Sequence, residues 1–553
     1  MALPLLEIDS FLPVINQLSN VFYLADKSIV SWCHQENWRD DGLHISKHIR
    51  GVVSKADLDA LHCYTRRVGT FILTDSSPDL KGRTIPHATF IRLAQLHSPP
   101  FFPALKHLRI VDVNASLTHL NLLLSNSLQS IEIYNIHHTQ EEVFLSFLIT
   151  LADECPELSS MKLASPVSTS VWENCLQFRH LHALELDNIS TQLDFDLLLT
   201  IGKSFPQLEV FSLYARIAKY TRATNPSDTL LEGEDKIAEP QTRIGHGFTD
   251  AELSALHSDG RDHPGLGPVM PSLSRWNSSE PLFLRLERLH MIGSLDLILD
   301  LVESISSPCL KEIGLILVRS NRPKFLRDPR RIDLETPLFA ICLEKILSTW
   351  GHGLVSVVIG QYEDYPPLDY GTPPPPVFPT LPIVLCQKLL FQPMLECLRV
   401  FGWTIESFLD YSLYSPPPTP ASSSLTSLYL QVERINQAIS LPDLQFIAKS
   451  FPNLVSLQSR IVMMDDSDIP VYGHSKAATF VLSHGLEQLS VGSACLPLSP
   501  KEVLDIARYI FGLFPNLEVI ETHEGQNENQ WNHIHSLIQA FQGVCLDHAA
   551  RLI

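Results

Sequence analysis

Seven times in this chain a proline stands two residues ahead of a leucine that opens an L-x-x-L-x-L-like segment. Phe205-Pro206-Gln207-Leu208 leads into Phe211 and Leu213, and Phe514-Pro515-Asn516-Leu517 leads into Ile520 and Thr522. The phrase also begins at Pro103, Pro156, Pro308, Pro393 and Pro452. Without the proline it recurs at Leu128, Leu181, Leu286, Leu354, Leu425 and Leu486, which makes thirteen copies. Repetition on this scale means one supersecondary unit stacked many times, and it settles the fold class before any other feature is weighed.

Proline lacks a backbone N–H and pushes its predecessor out of the α region, so each proline is expected to end a helix and start an extended segment. In Leu181-His182-Ala183-Leu184-Glu185-Leu186, Leu184 and Leu186 share one face of a strand and Glu185 points the other way. Such a strand cannot bury its apolar face alone, whereas stacked neighbours can. Helical stretches fill the intervals. Ser499-Pro500-Lys501-Glu502 is a capping box, followed by Val503, Ile506, Ala507 and Ile510 at helical spacing. Thr336-Pro337 and Ser440-Leu441-Pro442 open similar runs. The unit is strand, loop, helix, proline, next strand. That predicts an α/β leucine-rich-repeat solenoid: a curved parallel sheet with helices on its convex side. The intervals from Leu208 to Leu286, from Leu310 to Leu354 and from Leu354 to Leu395 exceed the usual repeat length and mark insertions.

At 553 residues the chain is longer than one compact core supports, which agrees with a solenoid. Its 61 acidic residues against 41 basic ones give a formal net charge of −20. That balance argues against nucleic acid as a partner, because phosphates reward clustered Lys and Arg. The ten cysteines are scattered and form no C-x-x-C pair. Cys155 and Cys342 fall at apolar helix positions, so the cysteines read as small buried hydrophobes in a reducing compartment. The first residues lack a basic start followed by a long apolar run, and no stretch of about 18 apolar residues occurs. No signal peptide and no membrane contact are expected, and the location is taken as cytoplasmic and/or nuclear.

Five segments are expected. Residues 1–100 are an N-terminal capping region containing a short helix near Leu58–Tyr64, a strand over 68–74 and a helix over 88–96. Residues 101–216 and 282–524 are repeats. Residues 217–281 are Gly-, Pro- and Asp-rich and are expected to be a disordered insertion. Proline-rich loops fall at 362–382 and 415–424; they read as stiff surface loops, or as polyproline-II ligands for SH3 or WW modules. Residues 525–553 form a closing helix carrying Trp531, Ile534, Leu537, Ile538 and Phe541.

Little in the chain supports catalysis. His257 to His263 contains hydrolase-like residue types, but a polar insertion offers no rigid frame for a triad. His137-His138 lacks a second ligand pair. No G-x-S-x-G, H-E-x-x-H, P-loop or G-x-G-x-x-G sequence occurs. No catalytic, metal or cofactor residue is therefore assigned, and the chain is read as a non-enzyme. The basic run Arg319, Arg322, Lys324, Arg327, Arg330, Arg331 reads as a solvated loop, or as a nuclear signal or a contact for an acidic partner.

The run from Asp57-Leu58-Asp59-Ala60-Leu61 through Tyr64, Arg66, Arg67 and Val68 to Phe101-Phe102-Pro103-Ala104-Leu105 adds a family likeness. It resembles the F-box/leucine-rich-repeat proteins of mushroom-forming fungi (basidiomycetes), in which a D-W-x-R-F-x-x-Y-A-x-R-V-like helix leads into a P-x-L-x-x-L series. The Trp531 helix is similar to that family's ending. The resemblance covers roughly residues 54–553. It implies an N-terminal F-box that binds the Skp-type adaptor of a cullin–RING (SCF-type) ubiquitin ligase, with repeats that hold the substrate. Leu3-Pro4-Leu5-Leu6-Glu7-Ile8 and Ile29-Val30-Ser31-Trp32-Cys33 resemble F-box phrases. The stretch is short and has no three-helix pattern, so within residues 1–40 the F-box is degenerate or missing. The expected function is a substrate receptor that binds a protein along the concave strand face; the alternative is a repeat scaffold or inhibitor with no ligase link. The residues expected to be exposed on that face are His107, Arg109, Asp112, Glu132, Lys162, Glu185, Asp187, Ser212, Tyr214, Arg399, Tyr429, Gln431 and Ser490.

Overall fold

The computed structural model describes residues 38–39, 42–43, 59, 62–63, 65–74, 95, 100–111, 117–136, 138–165, 168–187, 193–215, 220–221, 282–319, 335–363, 380–405, 423–431, 439–459, 461, 484–491, 498–522 and 528–552. The chain divides into two units, residues 1–221 with 282–553 and residues 222–281. The second unit lies outside the described residues, as do nearly all of the F-box-like residues 1–40 and the two proline tracts.

The first unit is built on one fourteen-stranded parallel sheet whose strands follow chain order. They are β1 (Thr70–Thr74), β2 (His107–Val111), β3 (Ser130–Tyr134), β4 (Ser160–Ala164), β5 (Ala183–Asp187), β6 (Val210–Tyr214) and β7 (Arg288–Gly293). After them come β8 (Glu312–Arg319), β9 (Ser356–Glu363), β10 (Cys397–Phe401), β11 (Ser427–Gln431), β12 (Ser456–Ser459), β13 (Gln488–Val491) and β14 (Val519–Thr522). Each of the thirteen leucine phrases delivers one strand. The fourteenth, β1, comes from the N-terminal region and pairs with β2 from Thr70↔His107 to Thr74↔Val111.

Strand register lines the core side chains up in rows. One row runs Leu108, Ile131, Met161, Leu184, Phe211 and Leu289, continues through Leu398, Leu428 and Leu457, and ends at Ile520. Leu184, Leu186, Leu428 and Leu430 are all buried. Helices cover this side of the sheet: the same apolar cluster takes in Phe144, Leu148 and Leu151 of α1 (Glu141–Glu154) and Ile506 and Ile510 of α2 (Pro500–Leu513). The capping box of α2 is present, with the Glu502 N–H donating to Ser499 Oγ and the Ser499 N–H donating to Glu502. The closing helix α3 (Glu528–Leu552) buries Trp531, Ile534 and Ile538.

The prolines do more than stop helices. The Leu208 N–H donates to Phe205 O, Leu158 to Cys155 O, Leu454 to Phe451 O and Leu517 to Phe514 O. Proline is therefore residue i+1 of a four-residue turn that runs from helix end to strand start, where its fixed φ is already correct. The residue before it, phenylalanine or cysteine, also donates its own N–H back into the last helical turn, as Phe205 does to Ile201 O and Phe514 to Ile510 O. After the turn, two successive N–H groups share one carbonyl of the preceding repeat. Glu209 and Val210 both donate to His182 O, and Glu518 and Val519 both donate to Glu487 O.

Candidate functional site

Because strand side chains alternate, the residues between the core rows share the opposite face of the sheet, the one turned away from the helices. Register aligns them as Ile72, Arg109, Glu132, Lys162, Glu185, Ser212, His290, Gly314, Val358, Arg399, Tyr429, Gln458, Ser490 and Glu521, one from each strand. Eight of the expected recognition residues stand in this line: Arg109, Glu132, Lys162, Glu185, Ser212, Arg399, Tyr429 and Ser490. His107 is one pleat toward the strand starts, and Asp187, Tyr214 and Gln431 are one pleat toward the ends. Asp112 lies outside the described residues.

Two of these residues are not exposed as expected. Ser212 and Ser490 are each only 6% exposed. Serine is too short to rise above its neighbours, and Ser490 turns its hydroxyl to Glu521 at 3.1 Å. The other six row members, Ile72, His290, Gly314, Val358, Gln458 and Glu521, were missed. Ile72, His290, Gly314 and Val358 have an apolar residue on each side, as Glu185 has, so the same alternation identifies them; Gln458 and Glu521 have only one, Leu457 and Ile520, and are placed by register.

The row's two halves differ in chemistry. On β2 to β5 the charges alternate in sign and neutralise one another. Arg109 Nε lies 3.6 Å from Glu132, and Lys162 pairs with Glu185. The Tyr134 hydroxyl donates to Glu132 at 2.9 Å. The Arg109 guanidinium lies 4.9 Å from the centre of the Tyr134 ring and the Lys162 ammonium 5.6 Å. Burial raises the Tyr134 pKa, and the Glu132 hydrogen bond raises it further. Burial pulls the Lys162 pKa down, but the hydrogen bond and charge of Glu185 outweigh it and the net shift is upward. Tyr214 is raised by burial and then by the Glu185 charge. The cluster thus ties Arg109, Glu132, Tyr134, Lys162 and Glu185 to one another.

Beyond it, His290 lies over Gly314, with Nδ1 2.5 Å from where a Cβ would stand. Burial lowers the His290 pKa against the opposing pull of Glu312, so the ring is neutral at neutral pH. On β9 to β11 the face turns aromatic. The Phe401 ring occupies the space above Gly360, where an added Cβ would meet it at 2.2 Å. The Tyr362 ring centre is 5.5 Å from that of Phe401.

Among the described residues no group of three His, Cys, Asp or Glu side chains is placed to hold a metal ion. No described helix is long and apolar enough to cross a membrane. His137, His257 and His263 lie outside the described residues. The eight described cysteines are free thiols; Cys155, Cys175, Cys342 and Cys386 are buried as expected, whereas Cys63, Cys309 and Cys545 are exposed.

No protein-family model matches the sequence, and no curated protein matches it. Among solved structures the chain is similar to a leucine-rich-repeat protein of Leptospira interrogans, at 13% identity and a TM-score of 0.33, covering 85% of this chain and 87% of that one. It is also similar to an internalin of Listeria monocytogenes, at 10% identity and a TM-score of 0.29, covering 88% of each chain. The stacked strands, their shared register and the turn-forming prolines make this chain an α/β leucine-rich-repeat solenoid.

Proposed function

We propose that this chain is a non-enzymatic binding protein that receives a protein partner on the sheet face turned away from its helices. One observation carries the reading: a line of fourteen residues, one per strand, held in register by a core on the other side of the sheet. Such a surface is rigid, long, and free to vary without disturbing the fold, as partner recognition requires. Lys162, Glu185 and Asp187 form part of its charged stripe.

The finer reading rests on the N-terminal resemblance. In it the chain is the substrate-recognition subunit of a cullin–RING ubiquitin ligase, with residues 1–40 binding a Skp-type adaptor. Affinity capture with the full chain tests both levels. The Glu185→Ala/Asp187→Ala double variant should recover less substrate than wild type. Deletion of residues 1–40 should abolish recovery of the adaptor while substrate capture persists. Substrate capture without any adaptor, from wild type as from the deletion, would leave a scaffold or inhibitor with no ligase link. Unchanged capture by the double variant would remove the charged face from the recognition surface.

A further inference from the structure

The aromatic half of the same face has a composition of its own. Arg399 is exposed, and register sets it between Val358 of β9 and Tyr429 of β11. Unlike Arg109 and Lys162, it makes no ion pair among the described residues. Two residues along β10, Phe401 rests above Gly360 and against Tyr362, which is 46% exposed. An exposed tyrosine and a half-buried phenylalanine ring beside an unpaired arginine are residue types that contribute strongly to binding energy at protein interfaces. The guanidinium favours a planar anion that accepts two parallel hydrogen bonds. It is a local cation in a chain of net charge −20, so a basic partner would gain from the surroundings and be repelled here.

We infer that Arg399, Phe401 and Tyr362 form a docking subsite for an extended segment of a partner protein that presents a carboxylate two residues from a large apolar side chain. The inference rests on the reading of this face as the recognition surface and adds the partner's chemistry. The spacing follows from strand geometry. Arg399 and Phe401 are two residues apart on one strand, about 7 Å, and side chains i and i+2 of an extended peptide stand the same distance apart on one side. The apolar side chain meets Phe401 and Tyr362 while the carboxylate meets Arg399.

Fluorescence anisotropy with the full chain and short labelled, C-terminally amidated peptides tests the subsite. The probes carry Asp-Ser-Phe, Lys-Ser-Phe or Asp-Ser-Ser within a Gly/Ser frame, and one further peptide ends in a free carboxylate after Phe. Asp-Ser-Phe should bind at least about tenfold tighter than its lysine twin or Asp-Ser-Ser. Arg399→Ala should weaken it about tenfold, and Arg399→Glu should reverse the preference toward Lys-Ser-Phe. Tyr362→Ala should lower affinity for every Phe-bearing peptide without changing the charge preference. Both positions are exposed, so an unchanged urea midpoint confirms that the variants fold. Tighter binding of the free-carboxylate peptide would identify a chain terminus as the source of the anion; tighter binding of Asp-Ser-Phe would identify a side chain. Equal binding of the Asp and Lys peptides, or an Arg399→Glu variant with unaltered preference, would overturn the inference. Partner capture separates this failure from failure of the broader reading. If the Glu185/Asp187 variant loses the partner and Arg399→Glu does not, the face stands and the subsite falls. If neither variant affects capture, the face itself is not the recognition surface.

Discussion

Replacing Gly360 by alanine should destabilise this protein, and truncating Phe401 should reverse the sign of the effect. A Cβ at position 360 would stand 2.2, 2.3 and 2.8 Å from three Phe401 ring atoms. Carbon atoms settle at about 3.5–4.0 Å, so the ring must retreat by more than about 1 Å and give up its rest against Tyr362. Inserting a methyl into an occupied space costs roughly 1–3 kcal/mol. Phe401 is only half-buried and has solvent to move into, which places the cost toward the lower end. Against this, exchanging glycine for alanine in a strand gains about 0.4–1 kcal/mol by restricting the unfolded chain. The net expectation is a loss of about 1 kcal/mol in the native background. In a Phe401→Ala background the clash is gone, and Gly360→Ala should stabilise by about 0.5 kcal/mol. The coupling between the two sites is then about 1–2 kcal/mol, within the range measured for contacting residues. Urea unfolding of the four proteins of the cycle, followed by far-ultraviolet circular dichroism, reads the midpoints directly. An equal effect of Gly360→Ala in both backgrounds would show that Phe401 does not use the space that glycine leaves.

Leu184→Ala removes a side chain that is 1% exposed between Met161 and Phe211, and should cost roughly 2–5 kcal/mol in urea unfolding. The neighbouring Glu185→Ala breaks only the partly exposed pair with Lys162 and should cost less than about 1 kcal/mol. Ser499→Ala deletes the cap of α2 and should lower stability by about 1 kcal/mol, with Ser499→Asp retaining most of it. His484 is buried, accepts the Leu486 N–H at Nδ1, and donates from Nε2 to Phe451 O, an arrangement that needs the neutral ring. Burial lowers its folded pKa below the ordinary imidazole value of about 6.5, so the unfolded chain takes up the proton first. Its contribution should be complete above about pH 6.5 and be lost as the pH falls through the depressed folded pKa; the pH dependence of the urea midpoint should flatten in His484→Gln. Burial raises the Cys175 and Cys342 thiols to about 12, while Cys309 and Cys545 are exposed. Brief alkylation of the native protein, mapped by mass spectrometry, should label the exposed pair and spare the buried one.

The thirteen strands were legible because each leucine phrase encodes both its turn and its core pair within a few residues. The strand over Thr70–Thr74 was legible as a strand, with Phe71 and Leu73 on one side, but not as a member of the sheet. Its phrase begins with Val68 instead of leucine, and nothing local says that it pairs with β2. The function of the prolines was half legible: sequence shows that proline cannot continue a helix, but the i+1 turn position appears only with the Leu208-to-Phe205 hydrogen bond. On the face turned away from the helices, alternation identified Arg109 and Glu185 and applies equally to His290 and Val358. It could not show that Ser212 sinks below its neighbours, because height above a sheet depends on side chains from adjacent strands. The Phe401–Gly360 contact was hidden for the same reason. The two residues are brought side by side by the register of β9 and β10, and register is a property of the stacked units together.

The pairs of N–H groups that share one carbonyl occur on the entry side of the strands, and they fix where alignment is set. Glu287 and Arg288 both donate to Glu209 O, as Glu209 and Val210 both donate to His182 O, although far more chain separates the first two strands than the second two. Every strand is thus clamped to its predecessor where it begins, regardless of how far the chain has travelled since the last one ended. Length added after a strand's last residue is invisible to the clamp. New segments can accumulate at the exits, as after β6, β8 and β9, without moving any side chain of the face by one position. A protein built this way can change the rim of its surface by insertion and the surface itself by point substitution, and the two kinds of change do not interfere.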